Sequence, residues 1–268
     1  MMKKINLVCF VSLASLALTG SLFAQPSLPV YEGFDYVVAN LCGNAGWAPT
    51  GSNASNDVQV IADSLIFPEL PASQGNKVSV LNGSGYIDPG FDIVPVGNQT
   101  EASSVYGSFI LNVVAEGNAT GDYFFHFCSA GTTSTDYHSK VFVKQGSEAG
   151  KYLLGIRNAS ADTIQWETSN RDINTPVFVV VSYDFVVDAA NDVSRLWINP
   201  TLGESAPGTP NLTTVASGTD LANGVGRVNL RQGSASTTMS VEVDEIRVGA
   251  TWESVTPKAS GVGDWNLY

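Results

Sequence analysis

The chain has 268 residues, of which 44% are hydrophobic and 14% are charged, and its formal net charge is −12 at pH 7. This composition is typical of a globular protein rather than a disordered one. The acidic balance argues against nucleic acid and anionic membranes as partners, because both require a basic surface. It is compatible with cations and with neutral glycans as ligands.

The N-terminus has the pattern of an export signal. Lys3 and Lys4 form a basic region, residues 5–22 form an uncharged apolar stretch, and Ala24 before Gln25 matches a cleavage site. A membrane anchor is the alternative, because the stretch approaches the length that spans a bilayer. We favour cleavage, since serine, threonine and glycine dilute the stretch.

Cleavage would remove the two positive charges of Lys3 and Lys4 and leave a chain outside the cytoplasm. We predict a signal peptide at 1–24, one domain at 25–257 and a C-terminal tail at 258–268. A mature chain of about 240 residues suits one large β-sandwich better than two small domains. No later apolar run is long enough to span a bilayer, so we expect a secreted protein, extracellular or at the cell surface.

Short segments rich in β-branched and aromatic residues at period two follow the signal in close succession. Glycine, asparagine, aspartate and serine separate them, and no alternation of strands with helices is seen. This pattern predicts an all-β sandwich. In chain order, we predict strands at 31–36, 58–62, 77–81, 104–114, 121–128, 141–144, 152–157, 162–168, 176–186, 194–198, 227–231 and 239–248.

Alternation along each strand assigns one face to the core and one to a polar surface. It predicts that Arg195 and Trp197 project from the polar face of their strand. It also predicts that Trp166 faces the core. Residues 176–186 are apolar on both sides, so we expect a central strand that is covered on both faces.

Two segments carry a family resemblance: Arg195-Leu-Trp-Ile-Asn-Pro200 and Val243-Asp-Glu-Ile-Arg-Val-Gly249. Together with the strand pattern over 31–257, they resemble the concanavalin A-like (laminin G-like) jelly rolls of secreted bacterial proteins. The resemblance implies two packed antiparallel sheets, with the first and last strands closing the same sheet. Such jelly rolls often bind carbohydrate as accessory or surface modules.

The hydrolases that the chain resembles carry a Glu-x-Asp-x-x-Glu strand, because a retaining glycosidase needs two carboxylates about 5–5.5 Å apart. The nearest approach here is Glu242-Val-Asp244-Glu245, which lacks that spacing. We interpret Asp244 as a half-buried carboxylate that points the same way as Ile246 and Val248 and is satisfied by backbone donors or a cation. We therefore predict no catalysis.

His126 and Cys128 share one face of a strand at a distance that a metal could bridge. No second such pair exists in the sequence, so we interpret them as parts of an apolar strand. Cys42 and Cys128 could form a disulfide outside the cytoplasm. We favour free thiols, since Cys128 sits in its strand as a small hydrophobic residue.

Carboxylates near the two terminal strands suggest a structural calcium ion. Glu32 and Asp35 lie in the first strand and Asp244 lies in the last, and we expect these strands to pair. Oxygen ligands of this kind are what Ca²⁺ prefers. The alternative is that the same carboxylates accept hydrogen bonds from the protein alone.

A glycan platform is the second candidate site. Trp197 and Arg195 would project from one polar face, with Gln165, Glu167 and Arg157 on neighbouring strands. An aromatic ring beside amide and charged groups suits the apolar face and the hydroxyls of a sugar. The alternative is that the loop at 200–218 covers Trp197.

These observations predict a secreted, non-catalytic β-sandwich that binds polysaccharide or cell-surface glycan, or that adheres at the cell surface. The alternatives are a polysaccharide-degrading hydrolase or lyase on the same fold, and a purely structural surface protein.

Overall fold

A computed structural model of the chain describes residues 25–51, 56–83, 86–215 and 218–259. The predicted signal peptide and most of the predicted tail lie outside these residues. Nearly all regular structure in the described part is β-strand, with one helical turn. No helix in this part of the chain is long and apolar enough to cross a membrane.

The strands pair with one another only in antiparallel fashion. In chain order, the elements are β1 (Val30–Glu32), β2 (Ala48–Thr50), β3 (Gln59–Ile61), β4 (Lys77–Leu81), β5 (Asp88–Val96), β6 (Ser103–Ala115), β7 (Asp122–Cys128), β8 (His138–Gln145), β9 (Lys151–Arg157), β10 (Gln165–Trp166), β11 (Arg171–Asp172), β12 (Val177–Phe185), β13 (Val193–Ile198), β14 (Leu212–Thr213), β15 (Val225–Leu230), β16 (Ser240–Gly249) and α1 (Trp252–Val255).

The strands form two eight-stranded sheets. The first sheet has the order β14-β13-β12-β6-β16-β4-β3, with β1 paired to β16. The second sheet has the order β10-β9-β8-β7-β15-β5-β2, with β11 paired to β9. This confirms the predicted all-β, two-sheet antiparallel jelly-roll sandwich, including the pairing of the first strand with the last.

The main core fills the space between the sheets. Alternate residues of β12, such as Val179 and Val181, meet inward-facing residues of the second sheet, such as Val141 and Leu154. All nine residues of β12 are buried, because its other face is covered as well. The prediction of a central strand covered on both faces is therefore confirmed.

A second apolar cluster lies on the outer face of the first sheet. Ile110, Phe178 and Trp197 project outward from β6, β12 and β13, and Trp252 of α1 packs on them. Thr251 caps this short helix by accepting a hydrogen bond from the backbone N–H of Ser254. Loops and α1 therefore close this face of the sandwich to solvent.

The sequence missed strands that contain proline or that are very short. β5 carries Pro89 and Pro95, which lack a backbone N–H and are typical of strand ends and edges. β2, β11 and β14 have three residues or fewer. The first strand ends at Glu32 instead of residue 36, because the backbone at Phe34 turns to a positive φ of 54°.

Candidate functional site

The outer face of the second sheet differs from that of the first, because polar and aromatic side chains line it. A loop at 129–137 covers the part of this face over β15, β5 and β2. The Gly51 N–H donates to the Thr132 carbonyl at 2.8 Å, and the Gly131 N–H donates to Asp92 at 3.0 Å. These bonds attach the loop to the sheet, and its Tyr137 covers His126 of β7, with ring centroids 4.3 Å apart. Tyr123 of β7 remains partly exposed.

Arg227 organises the covered part. Its guanidinium donates to Asp92 at 2.7 Å and to the carbonyls of Ala48 and Gly90 at 2.7 and 2.8 Å. A side chain at position 90 would collide with these groups, since a Cβ there would lie 2.8 Å from the Arg227 Nε. The network is buried and satisfied by protein partners, so we assign it a structural role.

A row of aromatic side chains crosses the part that the loop leaves open. Tyr123 on β7 is opposite Phe142 on β8, Phe142 is opposite Gly155 on β9, and Gly155 is opposite Trp166 on β10. Ring centroids are 5.3 Å apart for Tyr123 and Phe142 and 5.9 Å apart for Phe142 and Trp166. We call Tyr123, Phe142 and Trp166 the aromatic row.

Gly155 is the residue that lets the aromatic row continue across β9. The Trp166 ring lies over it, and a Cβ at position 155 would come within 2.5 Å of the indole Cε3. With no side chain in the way, the indole can fold back from β10 and reach Phe142. The ring centroids of Tyr123 and Trp166 are therefore no more than about 11 Å apart.

Each ring of the aromatic row has a cation over it. The Arg231 guanidinium carbon lies 4.1 Å from the Tyr123 centroid, and Arg157 lies 5.1 Å from Phe142. The Lys144 ammonium lies 4.3 Å from the Trp166 centroid. Such contacts are favourable because the ring face is electron-rich. The surface therefore alternates flat apolar groups with positive charges.

Lys140 forms the floor beside the aromatic row. It is almost fully buried, and its ammonium donates to the Ser160 hydroxyl at 2.7 Å. Burial and, to a smaller extent, the positive charge of Arg157 lower its pKa to about 7, while Asp162 opposes the shift. His126 lies on the neighbouring strand β7. It is neutral at physiological pH, because burial lowers its pKa to about 3.

A groove of about 220 Å³ adjoins the outer end of the aromatic row. Trp166 forms one side, and Glu167 and Arg171 line it with Asn211 from the edge of the first sheet. Glu167 and Arg171 form an ion pair at 2.9 Å. Hydrogen-bonding groups thus lie next to an aromatic ring, which is the combination that sugar recognition uses.

The five residues predicted as a glycan platform fall on opposite sides of the sandwich. Trp197 and Arg195 share the outer face of the first sheet, as predicted. However, Trp197 is only 3% exposed, and its indole N–H donates to the carbonyl of Gly208 in the covering loop at 2.7 Å. Arg195 forms an ion pair with Asp184. The alternative of a loop over Trp197 is therefore confirmed.

The other residues of that platform lie in the second sheet. Arg157 stands beside the aromatic row. Gln165 and Glu167 flank Trp166 on the edge of the sheet, and Glu167 accepts a hydrogen bond from the Leu154 N–H at 2.7 Å. The structure thus brings these three near one another but separates them from Trp197 and Arg195.

The prediction that Trp166 faces the core was wrong. Alternation places it inward, but β10 is only two residues long and its ring packs over Gly155 on the outer face. The signal available in the sequence was Gly155 itself, a glycine in the middle of an otherwise apolar strand. Such a glycine often marks the close approach of another group.

The three predicted calcium ligands do not converge. Glu32 accepts hydrogen bonds from the Phe34 N–H, the Tyr36 hydroxyl and the Trp47 indole at 2.6–2.9 Å. Asp35 is exposed in the following turn. Among the described residues, no group of three or more His, Cys, Asp or Glu side chains could hold a metal ion.

Asp244 points away from Glu32. A β-bulge between Asp244 and Arg247, with a φ of 55° at Glu245, reverses the alternation within β16. Ile246 therefore faces the main core, whereas Asp244 accepts hydrogen bonds from the N–H groups of Leu65 at 2.8 Å and Glu245 at 2.7 Å. The prediction that Asp244 points with Ile246 was wrong, and its satisfaction by backbone donors is confirmed.

Neither member of the Glu242 and Asp244 pair is open as an acid or base. Glu242 forms an ion pair with Lys77 at 3.1 Å and accepts a hydrogen bond from Asn112 at 2.8 Å. Asp244 is fully buried. Both carboxylates are held by structural partners.

Cys42 and Cys128, the cysteines within the described residues, are free thiols. The Cys128 thiol accepts a hydrogen bond from the Asn229 amide at 3.2 Å, and burial raises its pKa to about 11. Burial also raises the pKa of Cys42 to about 12. Thiolates are therefore scarce at physiological pH, in line with the interpretation of Cys128 as a packed apolar residue.

No protein-family model matches the sequence, and no curated protein matches it. Solved structures are similar to it at low identity. Domain 4 of AbnA, an extracellular arabinanase from Geobacillus stearothermophilus, solved with arabinotriose, is 14% identical, with a TM-score of 0.45 over 87% of this chain and 98% of that one.

Two further structures have comparable scores. A protein of unknown function from Shewanella oneidensis MR-1 is 14% identical, with a TM-score of 0.44 over 89% of this chain and 92% of that one. A carbohydrate esterase from the Shiga toxin-encoding bacteriophage phi24B is 14% identical, with a TM-score of 0.40 over 79% of this chain and 96% of that one. Similarities at this level assign no ligand to this chain.

Proposed function

We propose that this chain is a secreted, non-catalytic β-sandwich module that binds polysaccharide or cell-surface glycan through the aromatic row. We assign the sandwich to the concanavalin A-like (laminin G-like) kind on the two strand segments that resemble that group. The export signal pattern at 1–24 supports secretion. The observation that carries the proposal is the line of three rings across β7, β8, β9 and β10 on an outer face.

The chemistry of this face fits a sugar chain. Sugar rings present apolar C–H faces and equatorial hydroxyls, so they suit flat aromatic groups flanked by hydrogen-bond donors and acceptors. Tyr123 and Trp166 are partly exposed, and Phe142 is buried between them. The end centroids are no more than about 11 Å apart, so the two exposed rings offer two contact points along a sugar chain. The groove at Trp166 adds Glu167 and Arg171 as polar partners.

The proposal is tested by screening the mature protein against a glycan array and measuring hits by calorimetry. Trp166→Ala should weaken binding about tenfold, since a stacked aromatic contact is worth roughly 1 kcal/mol or more. Trp166→Phe keeps an aromatic ring and should retain part of the affinity.

Tyr31→Ala is the matched control, because Tyr31 is 46% exposed on the first sheet, away from the aromatic row. It should bind like the unmodified protein. Equal affinities for Trp166→Ala and the unmodified protein would refute the site, and the absence of any glycan ligand would refute the function.

A further inference from the structure

Almost every cation in the described residues has a carboxylate partner. The lysines and arginines in ion pairs are Lys77, Lys151, Arg171, Arg195, Arg227, Arg231, Arg247 and Lys258. Across the part of the chain that the structure describes, the exceptions are Lys140, Lys144 and Arg157. This is unexpected in a protein with a net charge of −12, where carboxylates are abundant.

The three exceptions are neighbours on one face. Lys140 on β8 is directly opposite Arg157 on β9, and Lys144 lies two residues beyond Phe142 on β8. They therefore flank the aromatic row on both sides. Arg157 and Lys144 are partly exposed, and Lys140 lies beneath them.

The hydrogen bonding of this group is incomplete. The Nε atom of Arg157 is buried and has no hydrogen-bond partner. Lys140 has the Ser160 hydroxyl and the Tyr123 ring, at 2.7 and 5.7 Å, in place of a carboxylate. A buried ammonium such as that of Lys140 is costly, and the neighbouring Arg157 repels it, while Asp162 offsets this only in part. A bound anion would remove both penalties.

We infer that the ligand of the aromatic row is an acidic glycan, a polymer that carries carboxylates as uronic acids do. Arg157 and Lys144 contact its carboxylates, Lys140 adds positive potential from below, and the two partly exposed rings, Tyr123 and Trp166, contact its sugar faces. Guanidinium is suited to this task because its N–H groups match the two oxygens of a carboxylate. The inference rests on the proposed function of the same site.

Charge density distinguishes an acidic glycan from a nucleic acid. A nucleic acid needs a wide basic surface, whereas here a small positive area is surrounded by an acidic protein. A polymer with separated carboxylates and apolar ring faces matches the alternation of cations and aromatic rings.

The test compares polygalacturonate with the same polymer after full methyl esterification, by calorimetry in EDTA at low and high salt. Esterification removes the charge and keeps the sugar backbone. We expect the acidic form to bind at least about tenfold more tightly at low salt, the change that one charge-assisted hydrogen bond gives. High salt should reduce the difference.

Arg157→Gln and Lys144→Gln should each weaken binding of the acidic form about tenfold and weaken binding of the ester much less, because the ester has no carboxylate for them to pair with. Lys258→Gln removes the same charge from an exposed ion pair with Glu69 and should have no effect. Equal binding of the two polymers would overturn the inference, as would sulfate competing as well as a galacturonate oligomer.

The outcomes separate the inference from the proposed function. A neutral glycan that binds in a Trp166-dependent manner, with no preference for the acidic polymer, would refute the inference and leave the function standing. If no glycan of either kind binds, both fail.

Discussion

At the scale of single residues, the most informative side chain is Asp244, a carboxylate with no solvent exposure in the last strand. Burial raises its pKa to about 7, although two backbone N–H groups and Lys77 favour the charged form. The residue therefore titrates near neutrality while it holds the Leu65 loop against the sheet. Its position depends on the bulge at Glu245.

Stability should depend on pH through this residue. The folded pKa is raised above the unfolded value of about 3.9, so the folded state binds more protons between pH 4 and 7. Its contribution to stability is thus fully present below about pH 4 and is lost as the pH rises through 7. Asp244→Asn cannot ionise, so its free energy of unfolding should fall less over this range, by on the order of 1–3 kcal/mol.

Urea unfolding of the two proteins at a series of pH values measures this difference, because contributions of other groups cancel. Asp244→Ala is the second variant. It also lacks the ionisable group, but it loses both oxygens that accept from the N–H groups of Leu65 and Glu245, so it should be less stable than Asp244→Asn at every pH. Parallel pH profiles for Asp244→Asn and the unmodified protein would contradict the expected titration.

At the scale of elements, β9 and β10 determine whether the aromatic row exists. β10 has two residues and pairs only with β9 in its sheet, so its own backbone bonds fix it weakly. The indole of Trp166 lying over Gly155 supplies the further contact. The absence of a side chain at Gly155 in β9 therefore sets the position of the Trp166 ring, which comes from β10.

Gly155→Ala tests this arrangement. The new Cβ would meet the indole Cε3 at 2.5 Å, so the ring must move outward, away from Phe142. We expect a red-shifted tryptophan emission and glycan affinity reduced about tenfold. Stability should change by less than about 1 kcal/mol, since alanine replaces glycine in a strand.

Gly208→Ala is the matched control, because a Cβ there would have no neighbour within 4 Å. Its emission and affinity should equal those of the unmodified protein. Unchanged affinity in Gly155→Ala would show that the position of the Trp166 ring is unimportant for the ligand.

At the scale of the whole molecule, the outer faces of the two sheets differ in how far they are covered. Loops and α1 cover the first sheet with a second apolar cluster, built around Trp197 and Trp252, whose rings are 5.0 Å apart. The second sheet carries the aromatic row and the unpaired cations. The apolar cluster of the first sheet is therefore covered, whereas the aromatic row of the second sheet is partly exposed and is the face that we propose binds glycan.

The carboxylates of the first and last strands, Glu32 and Asp244, do not converge on a common point where a metal ion could bind both. Glu32 bonds to the first strand's own turn and to Trp47, and Asp244 bonds on the opposite face of the sheet. We expect the melting temperature to be the same in EDTA and in millimolar calcium. An increase that grows with calcium concentration would instead show a site that binds the folded state.

The amino-acid sequence by itself was sufficient for the fold class, the central strand at β12 and the outward direction of Arg195 and Trp197. The outward direction of Arg195 and Trp197 follows from period-two alternation, and the central place of β12 follows from apolar residues on both of its sides; both are local patterns along a strand. The same local rule failed for Asp244 and Trp166. At Asp244, a β-bulge reverses the alternation within the strand. At Trp166, the strand has only two residues, and the packing of the ring over Gly155 decides its direction instead.

The aromatic row and its cations were decided by the tertiary structure alone. Tyr123, Phe142 and Trp166 are far apart in the chain, and only the register of β7, β8, β9 and β10 places them in one line. The same register brings Lys140 opposite Arg157. Strand register is set by packing across the whole sandwich, so local sequence determined which residues face outward but not which of them meet.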